Sequence, residues 1–390
     1  MKTGQTSRSI AQVNYAFDPT LADPDALLSR YATLTGWAEA LVDAGARRST
    51  VVQRFHRAAR VTRRGVDYVF VDRDADLRRA AADVRAEVAH VNGLAFAART
   101  WRLRRALPPS TAIVVQNHSD TGPMGRAPLQ RIVGALARGA SDAFLFAADE
   151  HVDRWRRAGF VGPRQPTYQV MEASTRFEPV ERDAARSATG IAGRPALLWV
   201  GRLNANKDPL TVVDAFERIA GALPDATLTM IFSADDLARE VRAQIERAPA
   251  LGPRVRLVGA VPHARLPSFY SAADLFVLGS HHEGSGYALI EALACGAAPV
   301  VTDIPTFRLL TGNGSLGALW TAGDAAGCAR AIAAAAARDA VEERRRVLDH
   351  FAREVSWRAI GRRALAIYEE VLQKRKDAGS FPDSVGRRRA

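Results

Sequence analysis

Two glutamates with seven residues between them, Glu283 and Glu291, bracket the part of the chain richest in chemistry. Gly284, Ser285, Gly286 and Tyr287 follow the first, and Ala288, Leu289 and Ile290 lead to the second. The small residues predict a loop, and the rest predicts a helix from about residue 286, terminated at Gly296. Apart from Glu291 that helix is apolar on every side, which marks it as buried. A carboxylate there is expensive unless it meets a partner or a ligand. At the other end, the small residues leave the first backbone N–H groups open, and with the helix dipole these suit an anion. One segment thus offers donors for a negative group and a carboxylate for hydroxyls. A nucleotide diphosphate joined to a sugar has both. The bland alternative is a simple turn, with Glu291 paired to a core arginine.

A second stretch points the same way. Gly201, directly after an apolar run, lets backbone approach a ligand closely. Arg202 and Lys207 then stand as two cations beside a helix start, which Asp208 as N-cap and Pro209 at the first position predict. A diphosphate leaving group needs such cations if no metal neutralises it. In isolation the pair reads equally well as surface cations in a loop.

These residues need a scaffold, and the hydrophobic pattern supplies one. Short strand-like runs over residues 10–15, 50–55, 66–71, 88–91, 111–115 and 143–147, β-branched at 50–55 and 66–71, alternate with helical patterns over 26–44, 74–87, 94–107, 129–138 and 150–158. The alternation lapses over 173–194 and restarts with strands over 196–200, 228–232, 255–258, 275–278 and 298–301. An Ala-rich helix over 325–343 and a final helix over 357–372 close the pattern. Strands alternating with helices predict α/β architecture with parallel sheets. The chain is therefore expected to form two doubly wound, Rossmann-like domains: 1–172 on the acceptor side, a linker over 173–194, and 195–356. The helix 357–372 is expected to cross back to the first domain, and 373–390 to be a disordered basic tail. In such sheets ligands lie beyond the carboxyl ends of the strands, where all the loops singled out fall.

The pairing of Val200-Gly201-Arg202-Leu203 and Lys207-Asp208 with the stretch 283–296 resembles the retaining glycosyltransferases of family 4, which have the GT-B fold. The resemblance is strongest over 195–323 and only architectural before it. It implies two domains facing across a cleft that closes on the donor. It also implies that Glu283 contacts the donor sugar, that the amides of Gly284, Ser285, Gly286 and Tyr287 hold sugar or phosphate, and that Glu291 grips the ribose hydroxyls. Gly201, Arg202 and Lys207 match the diphosphate site, and main chain at Val261 and Pro262 the place of the base. The family's histidine near the reacting carbon matches His118 best, with His90 second. One departure leaves the acceptor contacts open: Tyr15, Ala16, Phe17, Asp18 and Pro19 stand where many relatives carry a Gly-Gly turn.

Composition bounds the rest. At 390 residues and 47% hydrophobic, the chain is globular and long enough for two cores. It has no apolar run of the roughly 18–20 residues that span a bilayer, and residues 1–12 contain no apolar signal core. Two cysteines, Cys295 and Cys328, make neither a disulfide framework nor a metal site, which fits the cytoplasm. The net charge of +12 permits contact with an anionic membrane surface, while C-terminal Arg and Lys clusters without aromatics argue against nucleic acid. Asp72 with Asp74 has the D-x-D form of a metal site but reads better as acidic residues at a helix start. His281, His282 and Glu283 look like ligand material, but adjacent histidines seldom both reach one ion and no third soft ligand is near in sequence. The resemblance implies a cytoplasmic, metal-independent enzyme without cofactor, moving sugar from a nucleotide diphosphate-sugar to a hydroxyl of a glycan, lipid-linked or small-molecule acceptor. The rivals are an epimerase or phosphorylase of the same fold and a non-catalytic basic binding protein.

Overall fold

Parallel strands with helices on both faces are buried on both sides, so their residues run apolar without alternation. The computed structural model describes residues 8–118, 122–123, 127–234 and 236–379 and divides into two units, Met1–Glu172 with Ile360–Ala390, and Ala173–Ala359.

In the first unit the strands are β1 (Ser9–Asn14), β2 (Arg48–Arg54), β3 (Ala59–Arg63), β4 (Val66–Val71), β5 (Val88–Asn92), β6 (Ala112–Gln116), β7 (Ala143–Phe146) and β8 (Thr167–Gln169). They form one sheet in the order β3-β4-β2-β1-β5-β6-β7-β8. All neighbours are parallel except β3, which returns antiparallel to β4. Its two-residue turn, Arg64 and Gly65, has φ of 48° and 75°, the positive pair that a twisted hairpin favours. At the carboxyl ends of the central strands, register aligns Asn14 with Asn92 and Asn92 with Gln116. A row of amides thus edges the sheet.

The second unit holds β9 (Ala196–Gly201), β10 (Thr227–Phe232), β11 (Val255–Gly259), β12 (Leu275–Leu278), β13 (Ala298–Thr302) and β14 (Ala318–Trp320). Their order is β11-β10-β9-β12-β13-β14, parallel throughout. From β9 the chain winds one way and from β12 the other, so the loops after these two strands lie side by side at the switch point.

Several expectations need correction. The stretch 173–194 is no loose linker: it carries a helix, Arg182–Thr189, and folds with the second unit. Glu181 caps that helix, Val180 N–H donates to Ser271 at 3.0 Å, and Arg186 pairs with Asp274 at 3.1 Å. The helix over 26–44 is two, Pro24–Arg30 and Ala32–Asp43, parted at Tyr31. The Ala-rich helix is also two, Ala325–Ala336 and Ala340–His350, the second capped by Asp339. The last helix, Trp357–Gly379, continues beyond residue 372; residues 380–390 lie outside the described part. From Ile360 onward it belongs to the first unit, with Ile360, Ala364, Ile367 and Val371 buried. Among the described residues no helix is long and apolar enough to cross a membrane.

Candidate active site

The loop after β9 is built around a strained residue. Asp208 has φ of 43°, a left-handed conformation that non-glycine residues seldom adopt. It is held there as N-cap of the helix Pro209–Ile219, its carboxylate accepting from Thr211 N–H at 3.3 Å. Asn204 takes Lys207 N–H on its side-chain oxygen at 3.1 Å. Across the switch point, the loop after β12 begins with Gly279, where a Cβ would stand 2.9 Å from the Asp208 carbonyl. Only glycine lets the two loops come so close.

Asn206 then ties them together. Its carbonyl accepts from His281 N–H at 2.8 Å, and its side-chain amide donates to the His282 carbonyl at 3.1 Å. This brings the Lys207 ammonium against the Glu283 carboxylate, and Ser280 Oγ donates to the same carboxylate at 2.7 Å. Both charged side chains are largely enclosed, at 18% and 12% exposure, so their attraction is screened less than a surface pair's. Arg202 differs: it is exposed, and its guanidinium meets no hydrogen-bond or ion-pair partner among the described residues.

The helix predicted from residue 286 spans Tyr287–Ala294, with Gly286 as N-cap at φ 70° and no side chain capping it. Thr306 Oγ1 lies 2.8 Å from the Glu283 carbonyl and 3.1 Å from that of Gly284, fixing the loop before the helix. Glu291 is buried, 8% exposed. Its partners are not a core arginine. His263 Nε2 donates to one carboxylate oxygen at 2.8 Å and Tyr270 OH to the other at 3.1 Å. Burial pushes the Glu291 carboxyl up in pKa, and these two hydrogen bonds oppose the shift. His263 directly follows Val261 and Pro262, so that main chain is tied to the same carboxylate.

In the first unit His118 follows β6. Its Nδ1 contacts the carboxylate of buried Glu172, and its Nε2 lies 3.2 Å from Asn92 Oδ1. His90 is interior: Nδ1 meets Tyr368 OH at 2.6 Å, and Nε2 meets Asn92 and Gln116, each at 3.0 Å. Where a Gly-Gly turn would stand in relatives, exposed Phe17 packs edge-on against His56 at 4.9 Å and beneath Arg54.

The carboxylates of the D-x-D stretch face arginines. Asp74 pairs with Arg54 at 3.1 Å and Arg99 at 3.0 Å, and Asp76 with Arg73 at 2.8 Å. His281 lies 3.3 Å from Asp208. Among the described residues no three His, Cys, Asp or Glu side chains group as a metal site. The structure thus joins Lys207 to Glu283 and sets Glu291 on the helix that follows. His263, Tyr270, Ser280, Asn206, Thr306 and Glu172 were not among the residues expected. The buried carboxylate at Glu291 was a signal that partners must exist; nothing local marked which.

Residues 194–338, within the second unit, match the family described as Glycosyl transferases group 1. The second unit carries a group 1 glycosyl transferase domain. The D-inositol 3-phosphate glycosyltransferase of Rhodococcus opacus (strain B4) is 32% identical over 152 residues, 37% of this chain and 34% of that protein. The chain spans about a third to a half of the length of the curated relatives it matches. Among solved structures, a sucrose-phosphate synthase from Thermosynechococcus elongatus superposes with a TM-score of 0.67 at 19% identity, covering 94% of this chain and all of that one (100%). Anabaena Alr3699/HepE, solved with UDP and glucose, gives 0.59 at 15% identity, covering 96% of this chain and 99% of its own. These likenesses show the fold, GT-B, with two α/β domains built on largely parallel sheets.

Proposed function

We propose that the protein is a retaining glycosyltransferase that moves a sugar from a nucleotide diphosphate-sugar to an acceptor hydroxyl. The observation that carries this is the Lys207–Glu283 pair at the sheet's switch point, set directly before a helix with no side-chain cap. Arg202, Lys207, the Gly201 backbone and the N–H groups from Gly284 to Tyr287 would face the diphosphate. They would stabilise the charge that develops as the bond from sugar C1 to phosphate oxygen breaks. Glu283 would orient the sugar, Glu291 the ribose, and main chain at Val261 and Pro262 the base. The acceptor oxygen would bond to C1 on the face the phosphate leaves, giving its proton to the departing phosphate oxygen. No side-chain nucleophile, metal or cofactor enters this scheme. HepE, solved with UDP and glucose, and the group 1 match support the donor class.

In the first unit, His118, held by Glu172, is assigned to the acceptor side. The acceptor itself is left as a hydroxyl of a glycan, a lipid-linked glycan or a small molecule. We assign the protein to the cytoplasm, where its net charge of +12 would favour contact with an anionic membrane surface.

The test is a thermal-shift panel of UDP, GDP, ADP, CDP and dTDP on wild type and Arg202→Ala. A ligand at about a hundred times its Kd stabilises by roughly 2.7 kcal/mol. One nucleotide should shift the wild type clearly and the variant much less. A protein that no nucleotide stabilises would remove the proposal.

A further inference from the structure

The two oxygens of Glu291 are both engaged, by groups of opposite accessibility. Tyr270 is fully buried, and its hydroxyl holds Oε2 from the core. The His263 side chain is 71% exposed, yet its Nε2 holds Oε1 at 2.8 Å. Its ring leans on Phe177, centroid to centroid 4.8 Å and tilted 41°. All four residues lie in the second unit.

An enclosed carboxylate left without donors is costly, so something must serve Oε1 when no ligand is bound. His263 does so from the solvent side, at the oxygen opposite the one that buried Tyr270 holds. We propose that His263 is an internal competitor for Glu291, displaced when ribose hydroxyls arrive, and that it thereby narrows the margin by which ribonucleotides are preferred. This rests on Glu291 being the ribose ligand. A ribose hydroxyl can take over the hydrogen bond that His263 gives up. A sugar without hydroxyls cannot, so it must leave His263 in place or strand Oε1. Tyr270 has the complementary duty: it fixes the carboxylate so that a single oxygen is contested. Selection between the two sugars is then blunted, because the ribose must displace His263 while a sugar without hydroxyls leaves it in place.

The experiment measures Kd by calorimetry for the nucleoside diphosphate that the thermal-shift panel selects, in its ribo and 2′,3′-dideoxy forms, on full-length wild type, His263→Ala and His263→Gln. Removing the competitor should tighten the ribonucleotide about threefold, as befits a partly exposed charge-assisted hydrogen bond. The dideoxy form should not tighten, so the ratio between the two widens. His263→Gln, which still donates an N–H, should return the ratio towards wild type. Weaker ribonucleotide binding by His263→Ala would mean that His263 contacts the ligand itself, and would overturn the inference. Equal changes for both sugars would overturn it too. Failure of all five nucleotides of the thermal-shift panel to bind any of the three proteins would instead remove the ribose role of Glu291 on which it stands.

Discussion

At the scale of single residues, His90 shows what a titratable group does when the protein closes over it. It sits on β5 between Gln12 of β1 and Val114 of β6, with no exposed surface. Desolvation pushes its pKa down to about 4, against the usual value near 6.5, so the native ring is neutral. Between about pH 4 and 6.5 the unfolded chain binds a proton that the folded one does not. Stability therefore rises with pH across that window and falls on acidification, by up to ~3 kcal/mol for a shift of this size. Glu291 works in the opposite sense, since its raised pKa makes the folded state gain as pH falls. Denaturant unfolding at pH 7, 5.5 and 4.5 should show a smaller loss in His90→Gln than in wild type. Identical slopes would mean that the ring is protonated in the fold. His90 also shows the limit of reading single residues. From sequence it stood as a lesser candidate beside His118, because burial is a property of the whole sheet. Glu291 was legible for the same reason in reverse: a lone charge on an apolar helix announces a partner. Its partners, 28 and 21 residues away, do not announce themselves.

Elements differ in legibility according to how much of them is buried. The central strands were visible as continuous apolar runs, and β4 and β12 fall where those runs predict. β3 and β8 escaped notice because their residues are half exposed and polar, and β14 because it is three residues long. Periodicity also passed through the breaks at Tyr31 and before Asp339, although Asp339 is an ordinary N-cap signal. The final helix shows how such packing can be tested. A Cβ at Gly361 would lie 2.1 Å from the Ala40 carbonyl, inside contact distance with backbone that cannot swing aside. Gly361→Ala should push this helix off the helix Ala32–Asp43 and strain the Trp37–Tyr368 hydrogen bond of 3.2 Å. Overpacking of this kind costs about 1–3 kcal/mol. Gly221, where an added Cβ meets nothing within 4 Å, is the control. In differential scanning calorimetry, the first variant should melt below wild type and Gly221→Ala close to it. Equal melting temperatures would mean that the close approach is relaxed in solution.

For the whole molecule, the question is what a net charge of +12 is for. Many of the cations behind it are paired with carboxylates rather than left free for a ligand. Arg345 bridges Glu342 and Asp349, Arg338 and Arg346 flank Glu343, and Arg186 and Arg182 meet Asp274. A polyanion-binding protein would instead present cations without partners, and its affinity would fall by about 10³–10⁵ between 50 and 200 mM salt. A nucleotide site built as proposed relies on few charges. Lys207 is enclosed beside Glu283, and base and ribose contacts add attraction that salt does not screen. Binding of the nucleotide diphosphate that the thermal-shift panel selects should therefore weaken less than about tenfold over the same salt range. Titrating that ligand and a mixed-sequence single-stranded DNA at both salt concentrations separates the two readings. A steep loss for the nucleotide, parallel to that of the DNA, would mean that diffuse charge holds both, and the site at the switch point would lose its claim. A shallow nucleotide dependence beside a steep one for DNA would leave Arg202 and Lys207 as local ligands and the remaining charge as background.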